Sequence, residues 1–201
     1  MKLGIVSDIH CNAAALRQAI DRMDDVDELL CMGDSVYEYR FSNEVVALLR
    51  DRQARMVLGN HEWVLLGPQG ERIRQQPSVD QDLVRHLSDA PYRIETRVNG
   101  GKRLLMVHGS PFEPWNTYVF ENSADFKRLG ELDTDYVVMG HTHTALAKRV
   151  GNVLAINPGS LGEPKVLKDG FVGVTYAVLD TETDEVRIEQ MAVPPAAEGG
   201  R

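Results

Sequence analysis

Short apolar runs, each closed by glycine, asparagine or aspartate, punctuate the chain from its first residues. Lys2 to Ser7 is the first and predicts a buried strand. Behind it, Leu16, Ile20 and Met23 recur at helical spacing, with Asn12 placed as the N-cap. A second run, Asp27 to Met32, breaks at Gly33-Asp34. Ser42 then opens a helix whose inner face is Val45, Leu48 and Leu49. Arg55 to Leu58 predicts a third strand, stopped by Gly59-Asn60. Strand and helix alternating in this way predict a parallel sheet, with functional residues in the loops after the strands' C-terminal ends.

The middle of the chain changes pattern. Ser78-Val79-Asp80-Gln81 fits a capping box ahead of a short helix carrying Leu83, Val84 and Leu87. Tyr92 to Val98 and Lys102 to Val107 flank Asn99-Gly100-Gly101, a hairpin turn. Ser123 to Leu129 reads as a helix with Gly130 as its C-cap. Past Asp135 the pattern is strand: Tyr136–Met139, Leu146–Val150, Val153–Ile156, Val172–Leu179 and Val186–Met191. One sheet does not easily hold so many strands, so the fold expected is α/β, two packed sheets with helices outside. Residues 1–193 read as a single domain, and 194–201 (Pro-Pro-Ala-Ala-Glu-Gly-Gly-Arg) as a disordered tail.

Composition narrows the function. A chain of 201 residues with 43% hydrophobic positions is enough for one sizeable core. The net charge of −8, with no long Lys/Arg run, argues against strong nucleic-acid binding or an anionic-membrane partner. It does not exclude a small phosphorylated substrate, because bound metal reverses local charge. No stretch reaches the ~18 apolar residues of a membrane span. The opening Met1-Lys2-Leu3-Gly4-Ile5-Val6-Ser7-Asp8 meets charge too soon for a signal peptide. Two cysteines, Cys11 and Cys31, give no disulfide framework and suit a reducing cytoplasm.

Chemistry gathers at strand ends. Asp8-Ile9-His10, Gly33-Asp34, Gly59-Asn60-His61-Glu62, Val107-His108-Gly109 and Gly140-His141-Thr142-His143 each follow a predicted strand. They hold five of the six histidines; His86, expected at the surface, is the exception. Any one cluster is weak as a motif, and the five in this order are strong. Carboxylate and imidazole donors suit manganese, iron, nickel, cobalt or zinc, and the lack of clustered cysteine speaks against a structural zinc site. Asp8 and His10, like His141 and His143, are two apart, so an extended loop would point each pair the same way. Two carboxylates, Asp8 and Asp34, against two divalent cations would leave a positive site that attracts phosphate and supports a metal-bound hydroxide near neutral pH.

These clusters resemble the calcineurin-like metallophosphoesterase superfamily across nearly the whole chain. Ser7-Asp8-Ile9-His10-Cys11-Asn12, Asn43-Glu44-Val45-Val46, Val107-His108-Gly109-Ser110-Pro111 and Asn157-Pro158-Gly159-Ser160 are similar to a bacterial and archaeal branch of small phosphodiesterases. The resemblance implies an α/β/β/α sandwich and two metals. One would take Asp8, His10, Asp34 and His143; the other Asp34 as bridge, Asn60, His108 and His141. His61 would act near the leaving group. The activity implied is phosphodiester hydrolysis on small or nucleotide substrates by a hydroxide bridging the metals. The alternatives are a dinucleoside polyphosphate hydrolase, a phosphatase-type monoesterase, or a non-catalytic scaffold like the eukaryotic retromer subunit of this fold. Self-association into a homo-oligomer stays open.

Two departures from the pattern matter. Cys11 stands where the branch usually has glycine. Tyr37 stands where protein-phosphatase relatives place an aspartate, and Glu38 replaces their phosphate-binding arginine. His61 would then be a weaker proton donor unless Glu38 or Glu62 supplies the missing carboxylate. Around this set, Asn12, Tyr39 and Arg40 are candidate substrate contacts. The loop from Ser110 to Tyr118 is either a substrate platform or a cover over apolar core. Trp63 reads as core packing in preference to base stacking.

Overall fold

The structure, a computed structural model, describes residues 1–23, 25–166, 170 and 172–192. The expected tail and its boundary at residue 193 lie outside these. Eleven strands are described: β1 Lys2–Val6, β2 Glu28–Cys31, β3 Arg55–Met56, β4 Arg93–Val98, β5 Lys102–Val107, β6 Tyr136–Val138, β7 Leu146–Val150, β8 Val153–Asn157, β9 Lys165–Val166, β10 Val172–Asp180 and β11 Glu185–Ala192. The helices are α1 Ala13–Arg22, α2 Asn43–Asp51, α3 Asn60–Leu66, α4 Glu71–Arg74, α5 Gln81–Ser88 and α6 Ala124–Arg128.

The strands form two sheets. The first runs β11-β10-β1-β2-β3, with β9 beside β10; the second runs β4-β5-β6-β8-β7. Each has a parallel centre and antiparallel edges: β1–β2–β3 and β5–β6–β8 are parallel, while β10, β11, β4 and β7 pair antiparallel. The parallel expectation for the alternating N-terminal segments therefore holds, and the expected hairpin across Asn99-Gly100-Gly101 pairs β4 and β5 antiparallel.

Alternation within strands sorts the core into three layers. Leu3, Ile5, Leu30 and Met32 of the first sheet meet Leu104, Met106, Val138 and Ile156 of the second. The opposite face of the first sheet, with Val6, Cys31 and Val178, takes Leu16, Ile20, Val45, Leu49 and Leu87 from α1, α2 and α5. The outer face of the second, with Leu105, Val137 and Ala155, takes Phe126 and Leu129. This is the α/β/β/α sandwich.

Several local expectations shift. Asn12, Ser42 and Ser123 do cap α1, α2 and α6. α5, however, starts from Asp80, whose carboxylate accepts from the N–H groups of Asp82 and Leu83, and Ser78 lies outside it. Gly130 sits within a 3-10 turn, Leu129–Glu131, and not in a left-handed cap. His86 is half-buried on α5. Trp63 is 54% exposed, so it is not core.

Candidate metal centre

All five clusters come together at one edge of the sandwich. β1 runs into Asp8 and His10, β2 into Asp34, β5 into His108, and β6 into His141 and His143. Past β3, Asn60 and His61 occupy the first turn of α3. These are the C-terminal ends of parallel strands in both sheets, so the site lies where the sheets meet.

The backbone delivering these side chains is not extended. Asp8, His10, Asp34, His141 and His143 all have φ between 49° and 65°. Non-glycine residues in this left-handed region cost about 1–3 kcal/mol each and persist only where their surroundings over-determine them. Here the surroundings do. Asp8, His10 and Cys11 donate backbone N–H groups to the carbonyls of Gly33, Asp34 and Ser35, each at 3.0 Å. The buried Glu62 carboxylate accepts from the N–H of Asp34 at 2.8 Å, of Ser35 at 2.6 Å and of Gly59 at 2.9 Å. Ser160 Oγ donates to the Asp8 carbonyl at 2.8 Å, and Asn157 Nδ2 donates to the Gly140 carbonyl at 2.7 Å. A Cβ on Gly59 would run into the Asp34 carboxylate, which explains the glycine.

Two donor groups result. In the first, His143 Nε2 lies 3.1 Å from Asp8 Oδ1 and 3.3 Å from His10 Nε2. In the second, His108 Nε2 lies 3.2 Å from Asp34 Oδ2, 3.0 Å from Asn60 Oδ1 and 3.1 Å from His141 Nδ1. Ring protons are placed away from both centres. His108 Nδ1–H donates to the Met32 carbonyl at 2.7 Å, His141 Nε2–H to the Asn116 carbonyl at 3.0 Å, and His143 Nδ1–H to Glu163 at 3.0 Å. The inward atoms are thus lone pairs facing lone pairs, a contact that repels unless a proton or cation stands between them. Asp8 Oδ1 is buried without a hydrogen bond. Both groups fit divalent cations, and the outer partners are those that orient metal-ligating imidazoles.

Electrostatics agree. The recorded ion pairs of Asp8 and Asp34 are all with imidazoles. Burial alone would raise the Asp34 carboxyl, but His108 and His61 beside it hold it well below the usual carboxylate range. Burial likewise opposes charge on His108, yet Asp34 pushes it up to about 10. Burial leaves His141 lowered to about 4, and also lowers His10. A bound cation would replace the proton that these carboxylates otherwise keep on His108.

His61 has a different setting. Its Nδ1 pairs with Glu38, and its Nε2 lies 3.7 Å from Asp34 Oδ2. Tyr37 instead stacks on His10, with centroids 4.6 Å apart and planes at 20°. The carboxylate thought missing at position 37 is therefore supplied by its neighbour. Among the candidate substrate contacts, Tyr39 is exposed. Asn12 is engaged structurally: its Oδ1 accepts from Ala15 N and its Nδ2 donates to the Leu161 carbonyl. Arg40 donates to the His10 carbonyl at 2.9 Å and covers the Tyr37 ring. The 110–118 loop does reach the centre: Asn116 holds His141, and the Tyr118 ring stacks on it at 3.7 Å. Sequence reasoning missed Glu163 and the roles of Met32, Asn116 and Ser7, whose Oγ donates to Asp8 Oδ2 at 2.5 Å. Ser7, Asn157 and Ser160 lie in the motif stretches, which was their only signal.

Comparison with known proteins supplies the family. The family model for the calcineurin-like phosphoesterase superfamily domain matches residues 1–184. The chain belongs to that superfamily. It is therefore a phosphoric ester hydrolase of a metal-dependent family. An uncharacterised protein of Methanocaldococcus jannaschii is 26% identical over 92% of this chain and 85% of its own. The phosphodiesterase YfcE of Escherichia coli is 29% identical over 58% of each chain. A metallophosphoesterase from Sphaerobacter thermophilus superposes with a TM-score of 0.74 at 26% identity, over 95% of this chain and 88% of that one. No helix among the described residues is long and apolar enough to cross a membrane.

Proposed function

We propose that this family member hydrolyses phosphodiesters with small or nucleotide ester groups, using two divalent cations (manganese, iron, nickel or zinc) that share Asp34. The observation that carries this reading is the place of Asp34 between the donor groups. Its carboxylate is grouped with His10 and His61 on one side and with His108 and His141 on the other, all donor atoms in each group lying within 4.8 Å of one another. Asp8, His10, Asp34 and His143 would hold one ion, and Asp34, Asn60, His108 and His141 the other. Bound there, the ions would supply Lewis-acid charge to the phosphoryl oxygens and acidify water.

The chain's own residues provide the rest. With Nδ1–H donating to the Glu38 carboxylate, a protonated His61 would present Nε2–H on the Asp34 side, where a leaving oxygen would need a proton. The carboxylate of Glu38 stabilises the ring when it carries that proton. A second negative charge on a monoester would also fall near Glu38, so the singly charged diester is better matched. The likeness to YfcE, a phosphodiesterase by name, supports the same choice. A cytoplasmic location suits the two free thiols, Cys11 and Cys31.

The test combines metal analysis with hydrolysis of bis(p-nitrophenyl) phosphate, using manganese, nickel, magnesium, zinc and iron in turn. Two ions per chain are expected, with Asp34→Asn losing both and Asn60→Ala weakening one. A single ion per chain, or Asp34→Asn keeping both, would sink the shared-carboxylate reading.

A further inference from the structure

Both tryptophans of the chain line one cleft. It encloses about 250 Å3, with Val107 and His108, at the end of β5, forming part of its lining. Trp63 stands on α3 three residues after Asn60, so the two share a helix face beside the metal centre. Tyr92 and Trp115 pack together at 5.1 Å between centroids and 52° between planes. Trp63 and Tyr92 leave 54% and 39% of their surface exposed, an apolar area that the fold leaves uncovered.

The cleft is pre-formed. Ser110 N–H donates to the Trp115 carbonyl at 2.7 Å, and Phe112 N–H to Ser110 Oγ at 3.0 Å. Arg93 donates through Nη1 to the Pro111 carbonyl at 3.1 Å and through Nε to Glu95 at 2.9 Å. The cation in the wall is thus already engaged, and Glu113, at the rim, offers only acceptors. An anionic group such as a further phosphate finds no counter-charge here. A flat, neutral ring carrying an N–H donor does find its complement, in aromatic faces and a carboxylate. The volume lies just below the ~300–1,000 Å3 of pockets for drug-sized ligands, which suits one ring system and not two.

We infer that this cleft binds the aromatic base of a nucleotide ester while the phosphate occupies the metal centre that shares His108. The inference rests on the phosphodiesterase reading above and names its substrate class. It also makes Trp63 a specificity-determining residue, a role opposite to the core packing its sequence context suggested.

Because both tryptophans line the cleft, intrinsic fluorescence reports its occupancy directly. The full chain is titrated with adenosine, and separately with inorganic phosphate, with and without manganese. Saturable quenching by adenosine in both conditions, and none by phosphate, is the expected result. In parallel, kcat/KM is measured for a nucleotide aryl diester and for a methyl aryl diester. The ratio of the two should fall about tenfold in Trp63→Ala, the scale of one lost base–aromatic stack, and recover in Trp63→Phe. Absence of adenosine quenching, or an unchanged ratio in Trp63→Ala, overturns the inference while metal-dependent hydrolysis still stands. Loss of that hydrolysis in the wild type, with adenosine quenching intact, would instead overturn the activity and leave the cleft.

Discussion

His61 pairs through Nδ1 with Glu38, and its Nε2 stands 3.7 Å from Asp34 Oδ2, farther than His108 and His143 stand from their carboxylates at 3.2 Å and 3.1 Å. On the proposed reading His61 acts as an acid and not as a ligand. His61→Ala should keep its metals while turnover falls by ~10²–10⁴-fold, the range of general acid–base residues. Glu38→Gln should also keep its metals, but lose roughly tenfold in kcat, because an amide stabilises the imidazolium far less than a carboxylate. That loss should grow as the leaving group becomes more basic, which a series of aryl diesters measures. An unchanged dependence in Glu38→Gln would show that Glu38 only fills space. The sequence alone points to Tyr37 here and so expects a weak acid. The offset of one residue is decided by the tight turn in which Tyr37 pairs with Arg40, turning Tyr37 onto His10 and Glu38 onto His61. The candidate ligands are legible because five clusters, each weak alone, follow the strands in one order and gather five of the six histidines. The carbonyls of Met32 and Asn116 that orient them are not legible, since a backbone oxygen has no letter in the sequence.

At the scale of elements, α3 and the single turn α4 are the helices that periodicity did not reveal, and α3 carries the site. It is only seven residues, Asn60–Leu66, and its sequence reads as a motif followed by a short apolar run. What fixes it is Glu62, which accepts from the first turn at Gly59 and from the loop after β2 at Asp34 and Ser35. One carboxylate thereby locks the helix carrying Asn60 and His61 to the loop carrying Asp34. Removing it leaves several buried N–H groups without partners, each worth about 1–3 kcal/mol. Glu62→Ala should then destabilise by roughly 3 kcal/mol and lower Tm by about 6–12 °C in a chain of this size. Thermal unfolding with EDTA present measures this apart from metal binding. Metal affinity should fall as well, because Asp34 loses its support. A Glu62→Ala protein with wild-type Tm and affinity would mean the loop is held by other contacts. The longer helices α1 and α2 were legible, with their caps, since an amphipathic stripe and an N-cap residue agree there. The start of α5 was not, because Ser78 and Asp80 both qualify as caps and the two-donor geometry at Asp80 decides between them.

For the whole molecule, the metal centre joins the two sheets at one end only, and a separate clasp joins them at the other. Asp184, in the turn between β10 and β11, accepts from Lys102 Nζ at 2.6 Å, Tyr136 Oη at 2.5 Å and Arg149 Nη2 at 2.7 Å. Lys102 and Tyr136 are the first residues of β5 and β6, whereas the ligands follow the last ones, so this clasp lies at the opposite end of the second sheet. Its hydrogen bonds from Lys102 and Tyr136 draw the Asp184 carboxyl down to about 2. An unfolded aspartate titrates near ~3.9. A carboxylate whose folded pKa is depressed contributes stability that is present above the unfolded value and is lost as pH falls through the folded one. The full linkage for such a shift is about 2.6 kcal/mol, and solvent screening of this part-exposed group reduces it to about 1–2 kcal/mol. Asp184→Asn is the right probe, because Asp184 sits at φ 60° and asparagine tolerates that left-handed conformation. Urea unfolding of both proteins in EDTA should therefore show the wild type more stable by about 1–2 kcal/mol from pH 5 upward. The gap should narrow between pH 4 and pH 2, and metal content at neutral pH should be equal in the two. A gap that stays constant down to pH 2 would mean that shape, and not charge, holds the two sheets together at this end.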